Sequence, residues 1–475
     1  MHPMKPGKPG RTRVGTTLAA TVLASTILFG ACALPARAAE PEDEVLNELR
    51  ALRERVEELE AWKQARQTED SDDNGDLARA VEQYLTTRQL DGPSGGIVVA
   101  PRTKRIEIGG MVRVRGEMQR RSPTPPDVEG RHTNEFFLGR VRLHAKAEIT
   151  DDLGAYVELQ DARIWGEEPG TASDTGGVDL SQGYVDFRRM FATDTTARLG
   201  RQAVSLSDQR FVGALEWSNS GRRFDGLTVT HQRAENSYTG FAYRLADGFA
   251  VGDTSDDDAD LIGLWTTYPG LVGPSTFEFF AIYLNDTRKT FGEPRPGRPV
   301  TDGHTTFGTY GTRIHGVDDD GFDWDFQGAI QSGEIGGDDL SAWAARGGIG
   351  YRLNDVRGKP RFGFEYNLAT GDKKTDDGDV DQFQVLFPTN HGYYGIHDLQ
   401  AWSNMDAWSA NASIDLSDCV TLKGSYWHFK LDEEQGGWVV ASGKQLRPGF
   451  KGAGENLGSE VDFVMTWKQS ERVTW

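Results

Sequence analysis

From Arg105 onward apolar and polar residues alternate with a period of two, and no other feature constrains the fold of this chain as tightly. Ile106, Ile108, Val112, Val114 and Met118 alternate with Glu107, Arg113, Arg115 and Glu117. Phe137, Val141, Leu143, Ala145, Ala147 and Ile149 alternate with Arg140, Arg142, His144, Lys146 and Glu148. Phe322, Trp324, Phe326 and Ile330 alternate with Asp323, Asp325, Gln327 and Gln331. The segments run to about ten residues, the length of a tilted strand crossing a bilayer. Turn-rich stretches such as Asp318-Asp319-Asp320-Gly321 separate them. About seventeen segments fit between 105 and 475. Single-chain bacterial barrels use even strand numbers. The pattern therefore predicts an all-β transmembrane fold: an antiparallel up-and-down β-barrel of about eighteen strands, with sixteen as the alternative.

Composition alone points elsewhere. Mean hydropathy is −0.55, and no apolar run after residue 40 approaches the ~20 residues that a spanning helix needs. Alternating strands hide from such averages, because each apolar residue is cancelled by its neighbour. A soluble sandwich or propeller is the competing architecture, but its strands are shorter, about five or six residues. Trp265, Tyr268, Trp343 and Tyr351 recur at segment ends, where interfacial aromatic girdles are expected.

The N-terminus sets the compartment. Lys5, Lys8, Arg11 and Arg13 precede an apolar stretch from Thr16 to Ala33, and Ala36-Arg37-Ala38 fits a small-x-small cleavage site. Residues 1–38 read as a secretory signal peptide. Its removal takes away five Lys/Arg and no Asp/Glu, so the net charge moves from −20 to −25. A surface this acidic argues against a nucleic-acid partner. Only Cys419 survives processing, which leaves no intramolecular disulfide.

Residues 40–67 follow. Val45, Leu49, Leu52, Val56 and Leu59 are spaced alternately by four and three, the seam of a short α-helical coiled coil. It predicts self-association on the periplasmic side, with a homotrimer as the natural assembly for a porin. A polar linker spans 68–104. Its Asp70-x-Asp72-x-Asn74-Gly75 resembles the start of a calcium loop, but Val81 stands where a bidentate Glu is required, so no metal is expected. No cofactor is expected either.

Enzyme motifs fail on context. Gly92-Pro93-Ser94-Gly95-Gly96 matches Gly-x-Ser-x-Gly but lies in the linker, without the strand-to-helix turn that strains such a serine into use. The nine His show no metal-ligand spacing. Transport uses the inward residues instead. A charge on the lipid face near mid-membrane costs roughly 2–4 kcal/mol for Arg or Lys. That penalty turns Arg113, Arg115, Arg140, Arg142 and Lys146 into the lumen, together with Glu107, Glu117, Glu148, Glu158 and Asp186. A wet lumen carrying both signs sets up a transverse field for anionic or polar solutes. The alternative reading of any one of these charges is a paired, structural one.

Three further motifs carry a resemblance. They are Gly200-Arg201-Gln202 with Asp208-Gln209-Arg210-Phe211-Val212-Gly213, Trp217 and Arg222-Arg223-Phe224-Asp225-Gly226; Ala369-Thr370-Gly371-Asp372; and Leu386-Phe387-Pro388-Thr389-Asn390-His391 followed by Tyr393, Tyr394 and Trp402. Together with Glu460-Val461-Asp462 they resemble the alginate-export porin family over about 105–475. The resemblance implies an eighteen-stranded outer-membrane barrel with an Arg-rich constriction for anionic polysaccharide, and puts Arg201, Arg222 and Asp225 on the substrate path. The coiled coil and the acidic charge depart from that pattern. The reading is a passive outer-membrane porin for anionic or polar solutes such as oligosaccharides or polyuronates, with outer-membrane lipid as its surroundings. The alternatives are an anion- or phosphate-selective trimeric porin and, from other classes, an outer-membrane enzyme or surface adhesion protein.

The C-terminus is the least regular part. Val461–Trp467 alternates clearly, but Glu471–Trp475 restarts the pattern for only five residues, about half a spanning strand. This predicts a short last strand, a gap in the ladder and a C-terminally incomplete barrel.

Overall fold

The computed structural model describes residues 104–120, 133–167, 177–246, 258–287 and 304–475. The expected signal peptide, the coiled coil and the linker up to residue 103 lie outside them.

Among the described residues twenty strands follow in chain order. They are β1 Arg105–Arg120, β2 Thr133–Glu148, β3 Leu153–Ile164, β4 Asp179–Phe187, β5 Thr195–Gln202, β6 Phe224–Arg233, β7 Asn236–Ala246, β8 Ala259–Val272, β9 Ser275–Asp286 and β10 Thr305–Val317. Then come β11 Phe322–Ile335, β12 Asp338–Arg352, β13 Arg361–Ala369, β14 Asp379–Val380, β15 Met405–Ser417, β16 Val420–Lys430, β17 Trp438–Val439, β18 Gln445–Arg447, β19 Asn456–Ser470 and β20 Val473–Thr474. Eighteen of them form one sheet and β17–β18 a separate ribbon. Two members of the large sheet, β14 and β20, are two-residue pieces, so sixteen long strands make the antiparallel meander. Each pairs with the next long strand along the chain, from β1–β2 through β16–β19. Among the described residues the only helical turns are Met190–Ala192 and Asn390–Gly392, and no helix is long and apolar enough to cross a membrane.

The period of two appears as two faces. Ile106, Ile108, Val112 and Val114 of β1, Phe137, Val141 and Leu143 of β2, and Phe322, Phe326 and Ile330 of β11 are all exposed on the outside. Their neighbours of opposite parity, Arg140, Arg142, Gln327 and Gln331, are buried on the inside. Of the aromatic residues expected in interfacial girdles, Trp343 and Tyr351 are exposed on the outer face. Trp265 is a correction: it has inward parity, is buried, stacks on Phe280 at 4.4 Å and donates its indole N–H to Glu278 at 2.8 Å.

The connections also alternate. One end carries tight links, such as Ala234–Glu235 between β6 and β7 and Gly273–Pro274 between β8 and β9. Long excursions leave the other end, among them 203–223, 370–404 and 431–455. In outer-membrane barrels short turns are periplasmic and long loops extracellular. The exception at the long-loop end is Gly336–Gly337 between β11 and β12. Its φ values of 61° and 89° form a hairpin turn that only glycine adopts without strain.

At the C-terminus Glu471–Trp475 doubles back on its own strand. Trp475 exchanges backbone hydrogen bonds with Trp467 at 2.8 and 2.9 Å. Among the described residues no backbone pairing joins β19 to β1, so the seam between them is open.

Candidate functional site

The lumen is shaped by two loops that turn inward. The 203–223 loop meets the 381–404 loop along a short backbone ladder. Phe387 donates to the Phe211 carbonyl at 2.9 Å, Gly213 to the Phe387 carbonyl at 2.8 Å and Thr389 to the Gln209 carbonyl at 2.9 Å. Gly213 is required by the approach, because a Cβ there would lie 2.3 Å from Thr389 Oγ1. The 203–223 loop touches strands on opposite sides. Arg113 of β1 donates to the Glu216 carbonyl at 2.7 Å, and Arg346 of β12 donates to Asp208 at 2.9 Å. The sheet therefore curls around the loop, and the loop occupies its interior.

Apolar packing anchors it. Phe211 and Val212 are fully buried, and Phe211 lies 4.7 Å from Phe280, 5.6 Å from Trp402 and 6.4 Å from Phe383. Phe241, Tyr243, Leu261, Ile282, Leu284 and Phe307 complete this cluster from the lumen face of β7 to β10. Complete burial of one such side chain contributes roughly 1.5–3 kcal/mol.

On the opposite wall the interior is ionic. Arg113 and Arg140 are register partners across β1 and β2. Like charges directly opposite destabilise a sheet. Here the loop compensates. Arg113 and Arg140 both donate to the Glu216 carbonyl, at 2.7 and 3.1 Å, and both donate to the Ser218 carbonyl, at 3.0 and 3.2 Å. The Glu216 carboxylate lies 3.1 Å from Arg140, 2.7 Å from Arg142 and 3.0 Å from Arg223. Glu158 backs the group, 3.7 Å from Arg142 and 3.6 Å from Arg223, and is itself held by Ser181 at 2.8 Å. Arg115 pairs with Glu117 at 2.7 Å and lies over the Trp217 ring at 4.1 Å. The other face of Trp217 stacks on His391 at 3.8 Å, and His391 contacts Asp398 at 2.9 Å. That column ties both loops to β1.

A second ionic group forms on β10 to β13. Arg313 and Arg346 converge on Asp208 and Asp325, while Arg210 takes Asp208 at 3.1 Å and Glu365 at 2.9 Å. Burial alone lowers a guanidinium, but the phenol oxygen of Tyr394 and the carboxylates of Glu365 and Asp208 hold Arg210 above its ordinary value. Arg222 has no such partner among the described residues. It donates to the carbonyls of Pro388 and Gly213 at 2.9 and 3.2 Å, and burial pushes it down to about 10.

Of the residues expected on the solute path, Arg113, Arg115, Glu117, Arg140, Arg142 and Glu158 converge here, and Arg222 lies in the loop that covers them. Lys146 and Glu148 share the lumen parity nearer the short-turn end, with Lys146 opposite Glu107 and Glu148 opposite Arg105. Arg201 and Asp225 do not join the group. They pair with each other at 2.7 Å on the parity of exposed Leu199 and Leu227, the outer face. Glu216, Arg313, Arg346 and Asp325 were not singled out as site residues from sequence, Asp325 being named only for its alternation with Trp324 and Phe326. The last three were legible as inward members of alternating strands, whereas Glu216 is placed by the loop's fold alone. Among the described residues no group of His, Cys, Asp and Glu is arranged to hold a metal.

A long antiparallel meander with lipid-facing apolar residues outside, charges inside and loops folded into the interior defines an outer-membrane porin. The model of the alginate export family matches residues 104–475, and the chain belongs to that family. Among solved structures, that of Pseudomonas aeruginosa OpdK with vanillate superposes with a TM-score of 0.51 at 9% identity, covering 78% of this chain and 92% of that one. A second structure of this outer-membrane protein gives 0.50 at 10% identity over the same shares. No curated protein matches the chain. Family and fold make the protein a channel rather than an enzyme.

Proposed function

We propose that the protein is a passive outer-membrane porin whose solutes are anionic or polar, such as oligosaccharides or polyuronates. The observation that carries this reading is the convergence of Arg113, Arg140, Arg142 and Arg223 on a loop inside the lumen. Guanidiniums match carboxylates bidentately, and an array of them lets a polyanion shed water without one deep trap. Arg115, Lys146, Glu117, Glu148 and Glu158 belong to the same path in this proposal, and Arg222 braces the loop beside it. Vanillate, found with OpdK, is itself a carboxylate. The proposal includes self-association through Val45–Leu59; crosslinking in the membrane with and without residues 40–67 tests that part.

Single-channel current in planar bilayers tests the main claim, with alginate, succinate, phosphate and maltodextrin as competing blockers. Block by the uronate polymer at the lowest concentration is expected. Phosphate as the strongest blocker would favour an anion-selective porin, and absence of conductance would remove the channel reading.

A further inference from the structure

The Arg cluster already holds a carboxylate, and that carboxylate belongs to the protein. We propose that Glu216 is a built-in competitor occupying an anion site formed by Arg140, Arg142 and Arg223, and that a solute carboxylate loads the channel by taking its place. The inference rests on the reading of the protein as an anion-accepting porin.

Exposure separates the two sides of this contact. The side chains of Arg140, Arg142 and Arg223 are only 4%, 8% and 4% exposed, whereas Glu216 is 45% exposed. Solvent, and hence a solute, reaches the guanidiniums where Glu216 now stands. The site is also built to survive the exchange. Arg140 keeps the carbonyls of Glu216 and Ser218, Arg142 keeps Gln160 at 2.6 Å and the Ser220 carbonyl, and Arg223 keeps Ser181 at 3.1 Å and the Arg222 carbonyl. Arg113 Nε and Arg140 Nε are buried donors without a hydrogen-bond acceptor among the described residues, and Arg223 Nη2 faces Glu158 only at 3.6 Å, so the cluster has hydrogen-bonding capacity that Glu216 leaves unused. The backbone of the loop is fixed independently, by the carbonyl contacts to Arg113 and Arg140 and by Trp217 between Arg115 and His391. Exchange therefore requires a side-chain rotation at Glu216 and no opening of the loop. A uronate, with one carboxylate on a compact ring, is the ligand class that fits three converging guanidiniums.

The test is block of single-channel current by sodium glucuronate, measured on the full chain in planar bilayers. Glu216→Gln removes the charge and keeps the shape. It is expected to lower the half-blocking concentration about tenfold, equivalent to ~1.4 kcal/mol, and to raise anion over cation permeability. Glu216→Asp retains the competitor and should block as the natural protein does. Glu334→Gln on the outer face, remote from the lumen, serves as the control for altered charge. If the natural protein is blocked and Glu216→Gln is blocked no more tightly, the competitor idea is overturned while the anion-channel reading stands. If neither protein is blocked by any uronate, the anion-channel reading itself is overturned, and the competitor with it. Unchanged heat-modifiability of Glu216→Gln on gels establishes that it is folded.

Discussion

The wall of β1 to β3 and the wall of β7 to β10 present the same outer surface and opposite inner ones. Outside, both are aliphatic and aromatic: Val112, Val141 and Leu143 on one, Ile262, Leu264 and Phe279 on the other. Inside, the first wall holds guanidiniums bound to loop carbonyls and Glu216, while the second holds buried Phe241, Leu261, Phe280 and Ile282 against Phe211. One loop uses both. Its apolar part, Phe211–Ala214, is fastened to the apolar wall, and its polar part, Glu216–Ser220, is presented to the cationic wall. The lesson is that a barrel lumen need not be uniformly wet. Apolar burial at Phe211–Ala214 fixes the middle of the loop, and charges hold it on either side, Asp208 and Arg210 against β10 to β13 and Glu216 against the guanidiniums of β1 and β2.

The sharpest way to break this comparison is to release the loop from its apolar side. Phe211→Ala should remove about 3–5 kcal/mol of packing, freeing the loop without touching a charge. Conductance is expected to rise and to become noisy. A quiet channel of unchanged conductance would show that the loop does not depend on that wall.

A second experiment asks whether parity alone separates lipid from lumen on β1. Val112→Arg places on the outer face the group that Arg113 carries on the inner one, and should cost about 2–4 kcal/mol in folding into bilayers. Equal folding of the variant and the natural protein in a urea titration would contradict the assigned faces.

The third concerns the cationic wall as an electrostatic element. Arg113→Ala with Arg140→Ala removes two positive charges from the lumen wall and relieves their mutual repulsion. The anion-to-cation permeability ratio should fall. An unchanged reversal potential would make these residues purely structural.

The smallest effect is expected outside the lumen. Arg201 and Asp225 are 38% and 54% exposed, and exposed pairs contribute about 0–1 kcal/mol. Arg201→Gln should leave selectivity and folding nearly unchanged, in contrast with the Arg113 and Arg140 variant, although the ionic chemistry is the same.

By itself the sequence determined the strand architecture and its two faces, because the side-chain period of a strand is two and a charge in lipid is costly enough to decide which set turns inward. Ile106 to Glu117, Phe137 to Glu148 and Phe322 to Gln331 were legible for that reason. One clue to the apolar wall was also present: Phe279-Phe280-Ala281-Ile282-Tyr283-Leu284 is apolar on both parities, the mark of a strand covered on both faces. What covers it was not legible. Tertiary structure alone decided that the 203–223 loop turns inward, that Trp265 faces the lumen, that Arg201 and Asp225 face outward, and that Glu216 meets three arginines. A loop has no period from which a face can be read. Its course is set by contacts between residues as far apart as Gln209 and Thr389, or Arg113 and Glu216, and only the folded chain brings them together.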